Sequence, residues 1–443
     1  MRHSIGVFKP IKLHFSKHVG ALITLSQYCG SAKVPKSRGK KLRINNSWNP
    51  LGTGSNRSQV ATSGIKLGDK WPEYQGRNHW EGMLDPLDDN LRDEILRYGE
   101  FVDATYRSFE FDTSSPDYGM CRYSRFSMLA QCGLGESGYR VTRNLRATCG
   151  VQLPRWLDQA GPSWAFTRSG WIGYVAVCND KEEIARLGRR DVVIALRGTI
   201  TCLEWLENFR ATLACPHDHV GPKNDGAMVE SGFLSMYTSR TATCPSLQDM
   251  VREEIARVLR SYGDEPLSVT IVGHSLGAAL ATLAAYDITT TFDHAPMVTV
   301  ISFAGPRVGN RSFRSQLEKS GAKILRIVNS DDVVTKVPGF VIDNNEVADG
   351  EAVQVAGLPS WLQERVDHKH WVYADVGREL RLSSRESPHL SNGNFATNIA
   401  ACHDLRTYLH LVNSFVSSTC PLKATAKSVL ESTHQEKQLL LFR

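Results

Sequence analysis

Between Met1 and Gly68 the chain contains no aspartate and no glutamate; its first acid is Asp69. The same stretch carries twelve lysines and arginines, from Arg2 to Lys66. The whole chain of 443 residues has a formal charge of +6, so the part after Gly68 carries a net −6. A basic, hydroxyl-bearing leader without acids reads as an organelle transit peptide. A secretory signal fits less well, because the short apolar core Val19–Leu25 is reached only after Lys9, Lys12 and Lys17. The remaining reading is a disordered basic tail that contacts nucleic acid or anionic lipid. A nucleic-acid role is disfavoured, since the excess positive charge is confined to this removable leader.

Long apolar runs are also missing. None approaches the ~20 residues a membrane helix needs, so no transmembrane segment is expected. The ten cysteines are scattered, with no Cys-X-X-Cys and no paired Cys/His spacing. That argues against a metal centre and a dense disulfide framework and suits a reducing compartment; no cofactor is expected. The 41% hydrophobic and 22% charged residues are those of an ordinary globular protein.

What the chain does have is Gly273-His274-Ser275-Leu276-Gly277. The β-branched run Leu267–Val272 before it reads as a buried strand. After it, Leu276, Ala279, Leu280, Leu283 and Ala284 recur at helical spacing among alanines. A Gly-X-Ser-X-Gly pentapeptide where a strand turns into a helix is the setting of a nucleophile elbow, with Ser275 as nucleophile. Gly273 and Gly277 lack a Cβ, so strand and helix can pass close to that turn. The helix amino terminus directs free amides and its positive dipole end toward a developing oxyanion. Leu276, the residue after the nucleophile, would supply one of those amides. A chance pentapeptide would not bring this strand and helix with it.

Other segments agree with an α/β chain. Asp88 and Asp89 precede Leu91, Ile95, Tyr98 and Val102, one face of a capped helix. Strands are predicted over Trp171–Cys178, Asp191–Leu196, Val298–Phe303 and Lys323–Val328, and a helix over Pro245–Ser261. Lys181–Leu187 reads as a charged connection, and Cys121–Val151 fits no pattern. Strands alternating with helices predict an α/β-hydrolase type of fold, a mostly parallel sheet with helices on both faces. The Arg197-Gly198-Thr199 turn suits the other half of an oxyanion hole, with the Thr199 N–H as donor; an ordinary strand-ending turn fits the same residues. Leu203, Trp205, Leu206 and Phe209 form an apolar cluster, either a lid over a lipid cleft or a core-packing helix.

A serine hydroxyl needs a base to take its proton, and the base needs an acid to hold its tautomer. In an elbow fold the order is Ser, Asp or Glu, His. Asp331 and Asp332 are strand-end acids after Ser275, where ligands bind in such sheets. His368, His370, His389, His403, His410 and His434 all follow. These residues leave two acids and several bases open.

The pentapeptide, Leu196-Arg197-Gly198-Thr199, Phe303–Gly309 and Val328–Val334 together resemble the class 3, fungal-type lipase family. Trp80–Leu87 and Cys402-His403-Asp404-Leu405 resemble its plant class I phospholipase A1 branch, plastid acylhydrolases with amino-terminal transit peptides. The likeness spans Lys70 to Val416, and implies a leader over 1–68, a lipase domain over 69–420 and a tail over 421–443. It implies Asp332 as acid, His403 as base, Thr199 and Leu276 as oxyanion donors, and a lid over Ile200–Arg210. Asp331 is then a solvated or capping neighbour, and His389 and His410 are surface or packing residues. The chain departs from fungal members in having Asp332-Val333-Val334-Thr335 without the proline after the apolar pair; that proline does no chemistry. The implied reaction is hydrolysis of a glycerolipid at its sn-1 acyl ester through an acyl-serine, at a membrane or lipid-body surface. Phospholipids, galactolipids and triacylglycerol all fit as substrates. A general carboxylesterase and a non-catalytic lipid-binding protein on a hydrolase scaffold are the alternatives. The sequence does not set an oligomeric state.

Overall fold

A buried strand followed by an alanine-rich helix is the centre of the computed structural model. It describes residues 66–112, 114–148, 169–199, 213–216, 220, 226–337, 373–385 and 399–418. In chain order the main elements are α1 (Asp89–Ser108), β1 (Tyr139–Thr148), β2 (Ser169–Cys178), α2 (Lys181–Leu187) and β3 (Arg190–Leu196). Next come α3 (Ser231–Thr238), α4 (Leu247–Tyr262), β4 (Leu267–His274), α5 (Leu276–Thr291) and β5 (Met297–Phe303). The last are α6 (Arg311–Lys319), β6 (Lys323–Asn329), β7 (Arg378–Leu382), α7 (Ile399–His403) and α8 (Leu405–Ser414).

The seven strands form one sheet in the order β1-β2-β3-β4-β5-β6-β7. The pairs from β3 to β7 are parallel, while β1 and β2 join antiparallel at one edge. This is the mostly parallel sheet of an α/β-hydrolase fold. Every residue of β4 is buried, because both its faces are covered. On one face α5 lies along β4 and β5 and packs against α3 and α4. On the other, α1 and α8 pack together over the sheet. Almost all of α5 is buried, which is why its sequence is apolar all round rather than amphipathic.

Local chemistry starts these helices. Asp88 accepts the Leu91 N–H to begin α1, and Ser246 and Asp249 exchange bonds in a capping box that begins α4. Lys181–Leu187, read from its charge as a connection, is instead helix α2. Asp180 caps it at Glu183, and Glu183 pairs with Arg186 one turn on. The segment Cys121–Val151 hides β1, whose two register irregularities, at Val141/Arg143 and Leu145/Arg146, break the alternation by which a strand is read. Asn310, in the sequon Asn310-Arg311-Ser312, is buried as the cap of α6 and accepts from the Met228 and Phe313 N–H groups, so it is no glycan acceptor.

Leu67 and Gly68, assigned by charge to the leader, belong to the folded unit. Leu67 is buried in the core and bonds through its N–H to the Arg186 carbonyl. Charge marks where acids begin, whereas packing begins with the first apolar side chain the core can take. Among the described residues, no helix is long and apolar enough to cross a membrane.

Candidate active site

Strand β4 delivers the chain to Ser275, which has φ 58° and ψ −125° and is the first residue before α5. A non-glycine residue at positive φ costs of order 1–3 kcal/mol, and such strain persists where surrounding structure holds it. Here the Ser275 N–H is held by the Phe303 carbonyl of β5 at 3.0 Å. The flanking glycines make the turn sterically possible. A Cβ on Gly273 would lie 2.3 Å from the Gly277 carbonyl carbon, and one on Gly277 would lie 2.3 Å from the Leu196 oxygen. No side chain fits either contact, so helix and strand meet only as glycine backbone.

Asp332 follows the end of β6 and is fully buried. One carboxylate oxygen accepts from the Val334 N–H at 2.9 Å; the other receives His403 Nδ1 and the Tyr408 hydroxyl, each at 2.7 Å. With Nδ1–H committed to the carboxylate, a neutral His403 ring presents Nε2 as its basic nitrogen. Asp331, the other strand-end acid, accepts from Ser383 and pairs with Arg385 at 2.9 Å. The structure therefore brings Asp332, and not Asp331, to a histidine. His410 is exposed on α8. His368, His370, His389 and His434 lie outside the described residues, as does the lid segment Ile200–Arg210.

His403 stands at the join of α7 and α8. Asp404 stops α7 and caps α8 by accepting from the Arg406 and Thr407 N–H groups. Asn329, at the end of β6, donates to the Cys402 carbonyl at 3.0 Å and through its own N–H to Tyr408. His403 and Asp332 are thus tied to the same strand end.

His274, beside the nucleophile, has no base role open to it. Its Nε2 lies 2.8 Å from the His403 carbonyl, which can only accept, so Nε2 carries the proton. Nδ1 then accepts the Tyr106 hydroxyl at 2.7 Å, and the Tyr106 oxygen in turn accepts the Gly198 N–H at 2.8 Å. Burial, with the nearby His403 ring, pushes His274 down to about 3, so it stays neutral. The chain of bonds runs from the Gly198 turn through Tyr106 and His274 to the backbone of His403. It fixes three separate segments against Ser275.

Thr199 follows β3, and its hydroxyl is buried with no hydrogen-bond partner among the described residues. Leu276 is buried at the first position of α5, where a backbone N–H has no partner within the helix. Sequence reasoning did not find Tyr106, Asn329, Tyr408 or the role of His274. His274 lies in the pentapeptide and Asn329 in the Val328–Val334 motif, but neither motif showed what these side chains would bind.

The sequence matches the family model described as lipase (class 3) over residues 193–342. The chain is 65% identical over 371 residues to phospholipase A(1) DAD1, chloroplastic, of Arabidopsis thaliana, covering 83% of this chain and 81% of that protein. It is 37% identical over 361 residues to the galactolipase DONGLE, chloroplastic, of the same plant, covering 79% of this chain and 71% of that one. Among solved structures, the native lipase propeptide complex of Rhizomucor miehei aligns with a TM-score of 0.42 at 15% identity, over 75% of this chain and 83% of that one. The chain belongs to the class 3 lipase family, in the branch that holds the plant chloroplastic phospholipases A1.

Proposed function

We propose that Ser275, His403 and Asp332 cleave the sn-1 acyl ester of membrane glycerolipids, with Thr199 and Leu276 holding the oxyanion. That the chain is a chloroplast glycerolipid ester hydrolase follows from its family and from relatives at this identity. The observation that carries it is the joint geometry at the carboxyl ends of β4 and β6. A strained serine heads α5, a buried carboxylate 2.7 Å from His403 fixes that ring's tautomer, and the ring lies 4.9 Å from that of His274, the residue before the serine. Ser275 would attack the ester carbonyl while His403 takes its proton and returns it to the leaving alcohol. Asp332 orients the ring and offsets its transient charge. Water then hydrolyses the acyl-serine by the same proton transfers in reverse order.

The purified chain can be given bilayers or micelles of a phospholipid, a galactolipid and a triacylglycerol, each with different acyl chains at sn-1 and sn-2. Release of the sn-1 acid from at least one polar lipid, faster than from a short-chain soluble ester, is the expected outcome. Release chiefly from sn-2 would overturn the positional reading. Faster turnover of the soluble ester would favour a general esterase.

A further inference from the structure

We infer that Arg197 is a positioning residue that strengthens the oxyanion site through the Gly198–Thr199 peptide. The inference rests on the reading of Thr199 as an oxyanion donor. Among the described residues three arginines are buried: Arg189, Arg197 and Arg326. Arg189 lies within 3.9 Å of both Glu94 and Asp191, and Arg326 within 3.1 Å of Asp375 and Glu379. Arg197 has no such carboxylate among the described residues. Its guanidinium donates to the Trp171 carbonyl at 2.9 Å and to the Gly198 carbonyl at 2.8 Å, and stacks on the Phe109 ring 3.7 Å from its centre. Burial pushes its guanidinium down to about 10, so the cation persists at neutral pH.

A buried cation without a counter-charge is costly, and two carbonyls and a ring only offset that cost. Its position gives it a use. The Gly198 C=O and the Thr199 N–H are the two ends of one planar peptide. A guanidinium drawing on the carbonyl oxygen polarises that peptide, and the N–H at its far end becomes a stronger donor. The Gly198 N–H is held by Tyr106, so both polar groups of Gly198 are fixed and the turn cannot rotate. The turn also passes directly over the nucleophile, since a Cβ on Gly198 would lie 2.9 Å from the Ser275 Cβ. Oxyanion donors work by being aimed before the charge develops.

The test uses the full chain with Arg197→Met and Arg197→Lys, a short-chain soluble ester, and a simple alkylboronic acid. The tetrahedral boronate adduct on serine places an oxygen where the oxyanion would form, whereas the ground-state ester does not. Deleting one oxyanion donor costs ~10²–10³ in kcat; weakening one should cost less, about thirtyfold. Arg197→Met is expected to lose that factor in kcat and a similar factor in boronate affinity, with KM within about twofold. Arg197→Lys, which keeps the charge, should recover most of both. A loss confined to KM or to melting temperature would overturn the inference, as would kcat and boronate affinity within about threefold of wild type. If Arg197→Met fails to fold, Arg197→Gln is compared with Arg197→Lys, and equal boronate affinity in the two overturns it. If the wild-type chain neither hydrolyses the ester nor binds the boronate, the reading of Ser275 and Thr199 fails first, and this inference with it.

Discussion

The neighbouring strands β3 and β4 carry buried polar groups at both ends and treat them oppositely. At the amino ends, Asp191 and Ser268 sit side by side in the ladder. Asp191 accepts from Ser268, Thr270, Tyr98 and Tyr139, and Arg97 and Arg189 stand within 3.9 Å. Burial alone would raise its carboxyl, but the two guanidinium groups and the hydroxyl bonds outweigh it and hold the group below the usual carboxylate range. At the carboxyl ends, six to eight residues along, stand a strained serine, a threonine hydroxyl without a partner among the described residues, and an arginine without an acid there. The contrast separates two uses of polarity in a core. Where every donor meets an acceptor the groups lock the fold; where some are left over, as in the site proposed above, they are free to meet a ligand.

The sharpest break of this comparison is at the reactive end. Ser275→Ala should lower ester hydrolysis by ~10⁴-fold or more and leave thermal unfolding unchanged. His403→Ala should be nearly as damaging, and the double variant no worse than either, because both residues serve one proton transfer. Steady-state rates on a soluble ester decide this, and losses that multiply would separate the two residues.

The opposite pattern is expected at the other end. Asp191→Ala leaves Glu94 as the one acid that Arg97 and Arg189 share among the described residues and removes the acceptor of four buried hydroxyls, so it should cost about 3–5 kcal/mol in stability, measured by urea unfolding. Its kcat per folded molecule should match wild type. A loss of kcat in fully folded protein would mean that the two ends are coupled.

A third comparison concerns pH and blurs the division. His274 titrates near 6.5 when unfolded but only at about 3 in the folded chain. Between those values the unfolded chain takes up a proton that the folded one does not, so stability falls as pH falls. The share of this one group is about 1.4 kcal/mol per pH unit from about 6.5 downward. In His274→Asn the urea stability should lose that part of its acid slope. An unaltered slope would show that His274 is protonated within the fold.

Much of this contrast was legible at the reactive end only, because catalysis leaves short signatures. The elbow needs two glycines at fixed offsets from the serine, and Gly273 and Gly277 occupy them for contacts no Cβ permits. The satisfied end has no such motif. Asp191 draws its partners from residues as distant as Tyr98 and Ser268, and nothing local marks them as one cluster. Edge strand β1 escaped for a similar reason, since its irregular register spoils the two-residue period on which recognition depends.

Periodicity and steric necessity lie along the chain, and they alone established the elbow, the four central strands and α5. Propensity and capping act over a few residues, so these elements follow from their own segments. The choice of Asp332 over Asp331 needed resemblance in the sequence, and in three dimensions it is made by which carboxylate faces His403. Tyr106 lies 168 residues before His274, and His403 lies 129 after it, yet hydrogen bonds join all three. A hydrogen bond is set by distance in space and leaves no period in the chain, so only the folded structure could decide which histidine stays neutral and which one faces the acid.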